Sequence, residues 1–121
     1  MKLSELIQQV KDEKPNGFNN DKLTGFVNEI EADIRQFLKD ETKWRPYNYA
    51  NDGGEALIAP APFDRLYVSY LKARIDYCNE EYESFANNQA QHQSDYDDFK
   101  AYAISNNLVM KVHPKKVSNW F

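Results

Sequence analysis

The stretch from Pro62 to Ser105 constrains this chain more than any other. Apolar and aromatic residues recur there at steps of three and four. Phe63, Leu66, Tyr67, Tyr70, Leu71, Ile75, Tyr77 and Cys78 form a wide face, and Tyr82, Phe85, Gln89, His92, Tyr96, Phe99 and Ala103 continue it. That period is helical. Pro62 suits a first turn, and Asp64 is an acid where the helix dipole favours one. One unbroken helix over 62–105 would be roughly 66 Å long. A compact chain of 121 residues is only about 35 Å across. The segment must therefore fold back or lie against a partner. Asn87-Asn88 are weak helix formers and mark the expected break. The reading is two helices, 62–86 and 88–105, as a hairpin or bent pair.

Two further helices precede it. Leu3, Leu6, Ile7 and Val10 make a single apolar stripe over 3–13, which Pro15 and the Asn16-Gly17 turn should end at Lys14. Leu23, Phe26, Val27, Ile30, Ile34, Phe37 and Leu38 share one face over 20–41, with Asn19 or Asn20 as cap. Glu31 and Arg35 read as an i, i+4 pair on its outer face. Residues 42–61 break the pattern with Pro46, Pro60 and Gly53-Gly54, and Pro62 follows directly. Asp52-Gly53 could turn a hairpin between Tyr47–Tyr49 and Ala56–Ile58. The expected fold is all-α: a small bundle of about four helices, a long irregular loop (residues 42–61) and an extended C-terminal tail. The division is a helical domain over 1–107 and a docking segment over 108–121.

Composition narrows the function classes. Fifteen Lys and Arg against nineteen Asp and Glu give a net charge of −4, which disfavours a protein built to grip nucleic acid. No apolar run approaches the ~18 residues of a membrane span, and Met1–Val10 lacks the pattern of a secretory signal. One cysteine, Cys78, excludes an internal disulfide and a multi-cysteine zinc site. In a helix interior it reads as a small buried hydrophobe. His92 falls on an apolar stripe and reads as a packed or interface residue, and His113, beside a proline in the tail, reads as solvent-exposed or partner-bound. Glu80-Glu81-Tyr82-Glu83 and Asp95-Tyr96-Asp97-Asp98 are acidic but lack the frame of a calcium loop, so they read as solvated faces. No catalytic, cofactor or metal site is expected. Eight Tyr, seven Phe and two Trp are many for one small domain to bury with every hydroxyl satisfied, so some should face another chain.

The string Ala59-Pro60-Ala61-Pro62-Phe63-Asp64-Arg65-Leu66-Tyr67, followed by Leu71, Ile75-Asp76-Tyr77, Asn79, Glu81-Tyr82 and Asn87-Asn88, resembles small proteins encoded after the major capsid gene in tailed phages of Gram-positive bacteria. The short first helix, the Lys14-Pro15-Asn16 turn and the second amphipathic helix are similar too. The likeness runs to about Asn107. Such proteins resemble head–tail connector, or head-completion adaptor, proteins. The resemblance implies a non-enzymatic helical bundle of which about a dozen copies form a ring under the portal. The ring extends the DNA channel and offers a surface to the next neck or tail protein.

On that reading the partners are the portal protein, a downstream neck or tail protein and further copies of the chain. Genomic DNA passes without specific binding, and no membrane is involved. The expected location is the virion head–tail junction, after assembly in the host cytoplasm. The tail would dock the portal or a neighbour through Trp120, Phe121, Val117 and Met110, because aromatic anchors dominate interfaces. Trp44, Tyr47, Tyr49, Leu57 and Ile58 are candidates for contact between subunits; alternatively they cover the bundle. Glu80, Glu81, Glu83, Asp95, Asp97 and Asp98 are candidates for channel acids, which would repel sliding phosphates. The alternative function is a soluble helical adaptor or regulator that binds one partner through its aromatic tail.

Overall fold

The computed structural model describes residues 1–40, 42 and 44–109. Among them are five helices: α1 (Leu3–Glu13), α2 (Asn20–Leu38), the single-turn α3 (Tyr49–Asp52), α4 (Arg65–Cys78) and α5 (Tyr82–Ser105). The fold is a small all-α bundle. Helix α4 is its centre. It packs along α5 as an antiparallel hairpin, and α1 and α2 lie against its other faces. The core draws on each of the four long helices: Leu6 and Val10, Ile30 and Ile34, Leu66 and Leu71, and Phe99 and Ala103 are all buried.

The sequence stripes account for α1 and α2. Each stripe points at α4, and each end carries its own cap. The Glu5 carboxylate accepts from the Lys2 backbone N–H at 2.8 Å and closes the start of α1. The Asn19 carboxamide oxygen accepts from Lys22 N–H at 2.8 Å and caps α2. Lys39 ends α2 in the left-handed region, with φ of 56°, and its N–H returns to Arg35 and Gln36 carbonyls. Asn19→Ala removes one satisfied donor from the first turn and is expected to cost about 1 kcal/mol. Urea melts of that variant beside Asn19→Gly check it, since glycine at a cap should cost only a few tenths of that unit.

The long helical segment folds back, but not at Asn87-Asn88. The break lies at Asn79–Glu81, where Glu80 takes φ of 60°. Helix α5 runs unbroken through both asparagines. Asn88 is retained because its amide donates to the Asp76 carboxylate at 2.7 Å, which offsets a weak intrinsic propensity. Helix α4 starts at Arg65 rather than Pro62, because Ala61–Asp64 form a turn. Tyr77 and Cys78, expected on the buried face, are exposed where α4 ends.

The hairpin expected around Asp52-Gly53 does not form. Asn48 caps the single turn α3 instead, accepting from Ala50 N–H at 3.0 Å. The segment that follows pairs with the start of the chain. Leu3 N–H donates to Glu55 O and Leu57 N–H to Met1 O, both at 3.0 Å, forming an isolated antiparallel bridge between Lys2 and Ala56. No helix among the described residues is long and apolar enough to cross a membrane.

Candidate functional site

The loop between α2 and α4 is held to the bundle by one carboxylate. Glu31 is fully buried. Its Oε1 accepts from the Tyr67 hydroxyl at 2.5 Å. Its Oε2 accepts from the Tyr47 hydroxyl at 2.7 Å and from Ile58 N–H at 3.1 Å. The Tyr67 oxygen in turn accepts from Ala59 N–H at 2.8 Å. Both flanks of the loop thus end on a side chain of α2 and one of α4. Glu31 therefore does not form the outer-face pair expected with Arg35. Arg35 bridges to Asp40 at 2.9 Å instead. Burial pushes the Glu31 carboxyl above its ordinary value, against the pull of its three donors. Burial and the neighbouring Glu31 charge push both phenols up, so each stays a donor.

These contacts also place the five aromatic and aliphatic loop residues. Asn28 clamps the Tyr47 backbone, its amide donating to Tyr47 O at 3.1 Å and its oxygen accepting from Tyr47 N–H at 2.8 Å. Trp44 stands edge-on to Tyr47, with centroids 6.1 Å apart, and lies under the Arg35 guanidinium. Leu57 is buried. Tyr49 and Ile58 pack on the core cluster from its edge. Within a single copy these side chains cover the bundle.

The candidate acids separate into three groups. Asp95 is buried, which corrects its place on a solvated face. Its Oδ1 accepts from Arg65 Nε at 3.1 Å and Gln91 Nε2 at 2.9 Å, and its Oδ2 from the Ser69 hydroxyl at 2.9 Å. It fastens α5 to α4. Asp98 is exposed and shares the same arginine at 2.6 Å. Glu80, Glu81, Glu83 and Asp97 are exposed. Nearby, His92 is packed as expected. Its Nδ1–H donates to Leu66 O at 2.9 Å, and burial lowers its basicity.

Asp76, in sequence only one member of the Ile75-Asp76-Tyr77 motif, joins three elements. Its side chain has no exposed area, and Lys14 Nζ lies 2.5 Å from its Oδ1. Ser84 and Asn88 each donate to its Oδ2 at 2.7 Å. The end of α1 is thereby pinned to the α4–α5 turn. Among the described residues no group of three or more His, Cys, Asp or Glu side chains is placed to hold a metal ion.

Two ends of the bundle carry exposed apolar side chains. At the α4–α5 turn Tyr77 is 53% and Tyr82 59% exposed. Tyr77 also packs on Phe85, centroids 5.4 Å apart, and the Arg74 guanidinium lies over Tyr77. At the far end of α5, Ile104 is 62% and Leu108 41% exposed. The tail candidates Trp120, Phe121, Val117 and Met110 lie outside the described residues. No family model, curated protein or solved structure matches the chain.

Proposed function

We propose that the protein is a structural component of a tailed-phage neck, assembling as a ring of about a dozen copies between portal and tail. The observation that carries this reading is the segment Ala59–Tyr67, the centre of the resemblance to head-completion adaptors. It is also the segment that seats the loop on the bundle. Ala59, Leu66 and Tyr67 are fully buried, and Tyr67 closes the loop over Glu31. A likeness confined to surface residues would say little about architecture. One centred on these residues extends to the way the loop is seated. The exposed tyrosines at the α4–α5 turn further support a subunit that meets other chains, since tyrosine is enriched at interfaces.

In this role the ring binds the portal, extends the channel and presents a surface to the next neck or tail protein. DNA slides past exposed carboxylates that repel its phosphates. Asp95 is not among them. The test is native mass spectrometry with negative-stain microscopy, on the protein alone and mixed with portal-bearing heads. Closed rings of about twelve copies, or added density below the portal, are expected. A monomer in both samples would overturn the reading in favour of a soluble adaptor.

A further inference from the structure

We propose that Asn16 is a site of spontaneous covalent modification, at which the folded chain deamidates to aspartate and isoaspartate with water as the only co-reactant. The inference goes beyond the ring reading and does not depend on it. Asn16-Gly17 lies in the turn between α1 and α2. The Asn16 Oδ1 accepts from Phe18 N–H, and its Nδ2 donates to Lys14 O, both at 3.0 Å. The first of these bonds closes a ring that contains both the Asn16 Cγ and the Gly17 nitrogen, so the side chain is held turned toward that nitrogen. It also sets a donor on the oxygen where negative charge develops when Cγ is attacked. The Gly17 N–H is given to no acceptor among the described residues, and Gly17 is exposed.

The glycine itself is the second observation. Its φ is not positive, so the turn does not demand it. A Cβ at Gly17 would meet nothing within 4 Å, so packing does not demand it either. What the missing side chain leaves is an unshielded peptide nitrogen. Asp52-Gly53, a pair of the same kind, is closed to this chemistry. Asp52 is buried. Arg45 grips both of its carboxylate oxygens at 3.0 Å, and Asn48 N–H donates to one of them at 2.7 Å.

In the step, the Gly17 nitrogen gives its proton to solvent base and bonds to Cγ. The Cγ–Nδ2 bond breaks, and ammonia leaves with a proton taken back from solvent. Water then opens the cyclic imide. Attack at Cγ gives aspartate, and attack at the Asn16 main-chain carbonyl carbon gives isoaspartate. Either product adds a negative charge and loses the Nδ2 donor to Lys14 O. Isoaspartate also inserts a methylene into the chain ahead of Phe18, whose ring stands edge-on to Phe26 with centroids 6.1 Å apart. The mark therefore falls where α2 is seated after α1.

The full chain is incubated in water carrying heavy oxygen, once folded and once in strong urea. It is then digested and read by mass spectrometry with fragmentation that separates the two isomers. In the folded sample, label at residue 16 is expected to exceed that at Asn19 and Asn20 at least about tenfold, with both isomers present. Gly17→Ala, for which the turn has room, should cut that label at least about tenfold without lowering the melting temperature. Label in the urea sample alone would overturn the proposal, as would label at residue 16 no faster than at Asn19 and Asn20. A Gly17→Ala chain labelled as fast as the natural one would overturn the role given to the bare nitrogen.

Discussion

Glu31→Ala is expected to lower stability by about 4 kcal/mol and the melting temperature by roughly 15 °C or more. The substitution orphans the Tyr47 and Tyr67 hydroxyls and the Ile58 N–H at once. Each donor left buried without a partner costs about 1–3 kcal/mol, and rotation of the phenols recovers part of the sum. Glu31→Gln separates charge from shape. It keeps one acceptor oxygen and should cost about 1–2 kcal/mol near neutral pH. Burial holds the Glu31 carboxyl above the ordinary 4.5. Its protonated form is therefore the one that folding favours. That contribution is complete below pH 4.5 and is lost as pH rises through the elevated value. The advantage of the natural chain over Glu31→Gln should thus be larger at pH 4 than at pH 7. Urea melts at both values decide it, and an equal or larger advantage at pH 7 would show that the three donors outweigh burial.

Asp76→Ala should cost about 3 kcal/mol, for a different reason. It leaves the Lys14 ammonium, three-quarters covered, without its counter-charge, and it frees Ser84 and Asn88. Breaking a buried ion pair typically costs about 3–5 kcal/mol, and partial access of Lys14 to water puts this one at the lower end. Here the pH dependence reverses. Desolvation raises the Asp76 carboxyl, but Lys14, Ser84 and Asn88 together hold it below the ordinary 3.8. The contribution is present above pH 3.8 and disappears as pH falls through the lowered value. Thermal melts across pH 2–5 should show the natural chain converging on Asp76→Ala at the acid end. A gap that stays constant would mean that packing, and not charge, sets the effect.

The helices of the bundle were legible because their burial is periodic. Leu3, Leu6, Ile7 and Val10, and the stripe from Leu23 to Leu38, have one solution each, and Asn19 was visible as a cap. The site residues were less so. Glu31 lies seven residues from both Thr24 and Leu38, which places all three on one edge of the α2 stripe, and all three are buried. The spacing to Arg35 suggested a surface pair. What decided its position was a loop arriving with two donors and the Tyr67 hydroxyl of α4 supplying the third, a non-local event that no helical period encodes. The turn between α4 and α5 was misplaced on the same grounds. Propensity alone marks Asn87-Asn88 as the break, whereas Asn88 is held by an aspartate twelve positions earlier. The segment after Asp52 found its partner at the chain start, so local turn chemistry pointed to a hairpin that had a better competitor. In the Asp95–Asp98 run, charge indicated a solvated face. Arg65 and Ser69 on the neighbouring helix drew one carboxylate inward.

Helix α5 carries exposed apolar groups at both of its ends and no break between them. It therefore behaves as a ruler with a fixed phase. Twenty-two steps of 100° from Tyr82 to Ile104 bring the second within about 40° of the first around the helix axis. A single deleted residue would swing one end by about 100° and shorten the span by only about 1.5 Å. Angle is thus far more sensitive than length to insertions in this helix. Whatever meets those two ends is registered by the count of residues between them, and seven residues added or removed together, nearly two full turns, would keep the angle within about 20° while changing the span by about 10 Å.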